Sequence, residues 1–154
     1  VWVVAYGCFL VFPTVAPRPL ELSGEGFATW GLLFLYDADP PHNCFPSLHV
    51  AHSFVGALAC HRVHRRLGLV ALICAVLVAL STLFIRQHYV ADVVAGLLLA
   101  LASCTFFFRG WPRSRLPELQ RQLAPYLALP VAGLVGLAFV GFWAIYRWLP
   151  GFPW

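Results

Sequence analysis

Lysine and methionine are both missing from this chain, and charge of either sign is scarce, with 10 basic and 6 acidic residues among 154. Soluble domains run near 25% charged. Here the fraction is 10%, against 61% hydrophobic residues and a mean hydropathy of +0.81. That balance excludes an ordinary water-soluble domain and leaves a membrane protein. With no lysine, every basic residue is an arginine, a bias that fits a GC-rich genome. The lack of methionine leads us to expect a native start upstream. Val1–Phe12 then reads as the end of a transmembrane helix, because it is apolar yet short of the roughly 20 residues a span needs. It has neither the charged leader nor the small-residue cleavage site of a signal peptide.

Other absences narrow the function. The five cysteines (Cys8, Cys44, Cys60, Cys74, Cys104) form no CxxC pair and no even framework, so neither structural zinc nor a disulfide scaffold is expected. Three of them lie in apolar runs, where a free cysteine acts as a small hydrophobe. The net charge of +4 is carried by arginines at the ends of apolar runs, without a basic stripe interleaved with aromatics. Nucleic acid is therefore not an expected partner.

Apolar runs are what the sequence has in abundance. They cover residues 46–60, 67–85, 89–108 and 126–149. Only helices can span a bilayer from such segments, since each must satisfy its own backbone hydrogen bonds. The expected fold is all-α, a polytopic transmembrane helix bundle. Seven of the ten arginines fall in two links, "HRVHRR" and "RGWPRSRLPELQR", which the positive-inside rule assigns to the cytoplasm. Loop 13–45, with Glu21, Glu25, Asp37 and Asp39, and the Arg86–His88 link then fall on the outer side of an integral membrane protein, a bacterial inner (plasma) membrane being the expected location. Within that loop Phe27, Trp30 and Phe34 form an aromatic stripe at helical spacing. It suits an interfacial helix or a loop helix packed on the bundle. Phe142, Trp143, Tyr146 and Trp148 crowd the end of the last span as an aromatic belt would. Residues 1–108 read as one membrane core, and 109–154 as an arginine-rich link with an additional span.

Against this apolar background stands "RQHYVADVVAG", residues 86–96. Ionisable groups at membrane depth are costly and point to function. Three stretches converge on the outer boundary: "FPTVAPRP" with Arg18, "NCFPSLHVAHS" with Ser47 and His49, and this link with Arg86, His88 and Asp92. His88 and Asp92 are at i and i+4, on one helical face. A carboxylate there holds one imidazole nitrogen protonated and frees the other as nucleophile or base. Ser47 follows Pro46 at a helix N-terminus, where unpaired N–H groups suit a phosphate. Arginine adds bidentate recognition of phosphate oxygens, and His49 can give a proton to a leaving oxygen. His52 reads as a buried polar contact behind His49, His61 and His64 as solvated, and His42 as a loop residue near substrate. Gly96 suits close helix packing.

The pair "PSLH" and, some forty residues on, "HYVAD" resembles the type 2 phosphatidic acid phosphatase superfamily. That group includes lipid phosphate phosphatases, vanadium haloperoxidases and sphingolipid phosphotransferases. Of its three motifs, Pro46-Ser47-Leu48-His49 is complete. Arg18-Pro19 matches half of another, whose lysine position holds Val11. The third keeps Ser81, His88 and Asp92, with Thr82 at its arginine position. The pattern is similar to the branch containing fungal inositol phosphorylceramide synthases, and the resemblance covers roughly residues 10–108. It implies that His88 attacks phosphorus, oriented by Asp92, and that His49 protonates the departing lipid oxygen. Arg18, Ser47 and Arg86 are then the phosphate-binding residues, with no metal and no cofactor. The implied partners are a lipid phosphate substrate and the surrounding membrane lipids. Hydrolysis of a lipid phosphomonoester or pyrophosphate is the first expectation, and phosphotransfer to an acceptor lipid the second. A non-catalytic lipid-phosphate-binding protein is the third.

Overall fold

In the computed structural model, residues 1–19, 22, 24–110 and 117–148 are described. Glu21, Arg113, Arg115 and residue 149, used in the sequence reading, lie outside them. Six helices follow in order among the described residues: α1 (Trp2–Val11), α2 (Phe27–Ala38), α3 (Leu48–Val63), α4 (Arg65–Phe84), α5 (Val90–Arg109) and α6 (Glu118–Trp148). Among the described residues there is no strand, only an isolated bridge between Val15 and His42. Of these helices α4, α5 and α6 are long and apolar enough to cross a membrane. The chain is an all-α integral membrane protein.

Two units divide the chain. The first contains Val1–Arg18 and Pro41–Ala124, the second Pro19–Pro40 and Pro125–Trp154. In the first, α3 packs against both α4 and α5. Local chemistry sets the helix ends. Ser47 caps α3, its Oγ accepting from Val50 N at 3.4 Å. His64 closes α3 and opens α4, its extended backbone breaking the helix while Nδ1 accepts from Leu67 N at 3.3 Å. Asp92, in the first turn of α5, reaches back to accept from Tyr89 N at 2.8 Å.

The core of this unit is built from small residues. Ala5, Ala51, Ala57, Ala75, Ala79 and Ala100 are buried, whereas Leu69, Val70, Ile73, Leu98 and Phe106 point outward and stay exposed. Large side chains outside and small ones inside is the arrangement a lipid solvent favours, because helices in it gain by close van der Waals approach. Gly68 and Gly96 mark the tightest approaches. A Cβ at Gly68 would run into the backbone of His61, and one at Gly96 would lie 2.5 Å from Ser47 O and 3.2 Å from Val50 Cβ.

In the second unit, the aromatic stripe of α2 faces α6. Phe27, Trp30 and Phe34 stack on one another and meet Phe139, Phe142 and Tyr146 of α6 at ring-centroid distances of 5.3–6.4 Å. The loop helix is packed on the last span, and Phe142 and Tyr146 supply its seat, since edge-to-face ring pairs add to simple burial. Helix α6 is longer than the apolar run, at 31 residues with Pro125 and Pro130 inside it. The boundary between the two units falls at Pro125.

Gly68→Ala is expected to force α3 and α4 apart and cost ~3 kcal/mol, whereas Gly56→Ala, where a Cβ meets nothing, should leave the midpoint nearly unchanged. Thermal unfolding of the two variants in detergent measures the difference.

Candidate active site

The α3–α5 contact brings the two motif segments together. Ser47 N donates to Asp92 O at 3.0 Å, directly beside the close approach at Gly96. With that register, His49 Nδ1 lies 3.4 Å from His88 Nε2, and His88 Nδ1 lies 3.6 Å from Asp92 Oδ2. Four expected residues, Ser47, His49, His88 and Asp92, therefore form one chain of contacts. Exposure is graded along it: His49 is exposed, whereas the His88 and Asp92 side chains are 8% and 6% accessible. The carboxylate facing Nδ1 favours a proton there and leaves the Nε2 lone pair toward His49. His88 is held below its ordinary pKa of 6.5, chiefly by burial and then by the charge of His49, with Asp92 and the Cys44 carbonyl opposing.

Ser47 is fully buried with its hydroxyl turned to Val50 N, so what its side chain visibly does is start α3. Arg86 lines an open cavity of about 360 Å³ with His88, Tyr89, Ala16, Pro17 and Leu83. Arg18 follows directly on Ala16 and Pro17, and its Nε is buried. The segment carrying it is tied to the chain before α3: Ala16 N donates to Pro41 O at 3.1 Å, and Phe45 N donates to Thr14 Oγ1 at 2.9 Å. Thr14, Cys44 and Tyr89 are the participants the sequence reading missed. Each acts through a backbone group or a hydroxyl bond to backbone, which no residue pattern announces. His52 is half-buried and packs on the Trp2 ring at 4.8 Å.

The backbone of Arg86 is unusual. Helix α4 ends with Arg86 N donating to Leu83 O and Gln87 N to Thr82 O, which leaves Arg86 at φ 53° in the position where glycine is customary. An arginine there costs about 1 kcal/mol, and strain of this kind collects at functional sites. Thr82 is itself buried, its Oγ1 bonded to Ala79 O at 2.8 Å and its carbonyl accepting from both Gln87 and His88. It anchors the link that carries the histidine.

A helical membrane protein with a histidine pair backed by a buried aspartate, beside an open, partly apolar cavity, is the class that fold and site define. The PAP2 superfamily model matches residues 5–116, and the chain belongs to that superfamily. It is 31% identical over 105 residues to a PA-phosphatase related-family protein of Dictyostelium discoideum, covering 61% of this chain and 19% of that one. It is 32% identical over 84 residues to the bacitracin transport permease protein BcrC of Bacillus licheniformis, covering 54% of this chain and 40% of that one. The chain thus spans well under half the length of either relative. No solved structure matches it significantly.

Arg86→Gly should relieve the left-handed strain and raise stability by about 1 kcal/mol, read by thermal unfolding in detergent. The depressed pKa of His88 carries a sign for pH: the unfolded chain takes up its proton near 6.5 and the folded chain only below that. The stability contribution of His88 is hence present above 6.5 and declines as pH falls through that value. Asp92→Asn removes an opposing effect, so the His88 pKa should fall further, read by NMR titration of the imidazole.

Proposed function

We propose that this chain is an integral membrane lipid phosphatase that hydrolyses a lipid phosphomonoester or pyrophosphate through a phosphohistidine. The observation that carries the reading is the His49–His88–Asp92 chain of contacts, with the buried imidazole behind and the exposed one in front. Family membership supports phosphatase-type chemistry, and one relative is named a PA-phosphatase related protein. His88 Nε2 attacks phosphorus and the bond to the lipid oxygen breaks. His49 gives that oxygen its proton. Water then attacks the phosphohistidine, returning its proton to His49 and releasing phosphate. For phosphorus to enter the 3.4 Å gap between the imidazoles, one ring has to turn aside. His49, exposed, has the room; His88, buried against Asp92, is the fixed nucleophile.

Arg86 and Arg18 stabilise the developing charge, with Ser47 and the helix N-terminus that it starts completing the phosphate cradle. Arg86 supplies a cation one turn beyond Thr82, where the family has its arginine. The mixed cavity beside it suits an ester with a charged head and an apolar tail, entering from the outer leaflet. Residues 1–108 form the catalytic core, and the reaction uses no metal. A second reading, transfer of a phosphoryl-headgroup to an acceptor lipid, draws on Val11 and Thr82, which leave the site with fewer cations and better matched to a singly charged phosphodiester.

The deciding measurement is phosphate release from a panel of lipid phosphates by the full-length protein in detergent. Activity should resist chelators, yield to vanadate, disappear in His88→Ala and fall about a hundredfold or more in His49→Ala. Loss of activity on chelation would sink the metal-free mechanism. Turnover only with an added acceptor alcohol would select transfer, and lipid binding without turnover would leave a non-catalytic binder.

A further inference from the structure

The far end of the first unit carries a second concentration of charge, about 24 Å along α3 from the histidine pair. The α3–α4 junction and the start of α6, distant in sequence, line one open cleft of about 360 Å³ with His64, Arg65, Arg66, Glu118, Arg121 and Gln122. Three guanidinium groups share it with one carboxylate. Glu118 is already engaged, its Oε2 taking Arg121 Nη1 at 3.1 Å. Among the described residues neither Arg65 nor Arg66 has a carboxylate partner. Arg62, one turn earlier, is by contrast committed to the Phe108 ring at 4.5 Å.

Two further observations give the cleft a preferred occupant. Arg65 and Arg66 open α4, whose first turn holds no acidic residue. The positive end of the helix and two cations therefore coincide, an arrangement that is repulsive until an anion sits between them. Leading away from the cleft along α4, Leu69, Val70, Ile73 and Leu77 form an exposed apolar stripe at helical spacing. The stripe runs from a basic cleft into membrane-spanning helix, so charge and apolar surface join end to end.

We propose that this cleft binds the phosphate-bearing headgroup of an anionic phospholipid whose acyl chains lie along the α4 stripe. Arginine takes phosphate oxygens bidentately, and basic pockets at the ends of membrane helices suit such headgroups. A free phosphate offers the same oxygens but nothing to cover the stripe. The site is separate from the histidine pair and does not rest on its chemistry.

The test uses the full chain in detergent, with unfolding followed on addition of dioleoylphosphatidylglycerol, dioleoylphosphatidylcholine or inorganic phosphate. Phosphatidylglycerol is expected to raise Tm by ~3 °C or more. The other two should leave Tm nearly unchanged, the effect should persist in His88→Ala, and it should be lost in the double variant Arg65→Gln/Arg66→Gln. Native mass spectrometry of wild type and Arg121→Gln gives an independent count of retained phosphatidylglycerol, expected to fall in the variant. An equal shift with phosphatidylcholine, a full shift with inorganic phosphate alone, or an undiminished shift in the double variant would each overturn the proposal.

Discussion

The approach of α3 to α5 at Gly96 is the constraint on which the site depends. There the Ser47 carbonyl packs where any larger residue would place its Cβ, and Ser47 N bonds to the Asp92 carbonyl. One contact therefore sets both the distance and the register of the two helices. His49 comes two residues after the fixed point on α3, and His88 four residues before it on the α5 side. Their meeting across 3.4 Å follows from that geometry. A slip of a single residue along α3 would rotate the His49 imidazole about 100° away from His88.

Lipid as solvent explains why the contact can be so close. Without a hydrophobic force between helices, association comes from packing and polar contacts. The buried face is accordingly alanine and glycine, with the large apolar residues outward. Such packing leaves little room for polar groups, and among the described polar residues only Ser47, Thr82, Gln87 and Asp92 are buried, Asp92 alone of them carrying an ionisable group. Its carboxylate is accommodated because Tyr89 N donates to it and His88 lies beside it. One side chain thus starts α5 and orients the imidazole, which couples the stability of the helix to the state of the site.

In the proposed reading, Arg86 supplies the cation that Thr82 does not. Thr82 is buried and holds the α4 terminus through its backbone carbonyl, while the cation appears at Arg86, in a left-handed conformation that glycine would occupy more easily. The strained backbone and the cation occupy the same position, beside the cavity that His88 lines.

The sequence by itself determined the class. Low charge and long apolar runs require membrane helices, because a bilayer accepts no unsatisfied backbone. The Pro46–Ser47 helix start was legible because it is local. The helical face expected to join His88 and Asp92 is not what joins them: α5 begins at Val90, and His88 sits in the bend before it, tied by its N–H to Thr82 O at the end of α4. The runs also marked the helices to within a few residues, except at α6, which extends to Glu118 through two prolines. What only the tertiary structure decided were contacts between segments far apart in sequence. The seating of the α2 aromatics on α6 was one of two arrangements their spacing allowed. The pairing of His49 with His88, the graded burial along the site and the left-handed Arg86 depend on packing between helices, which periodicity within one helix cannot encode.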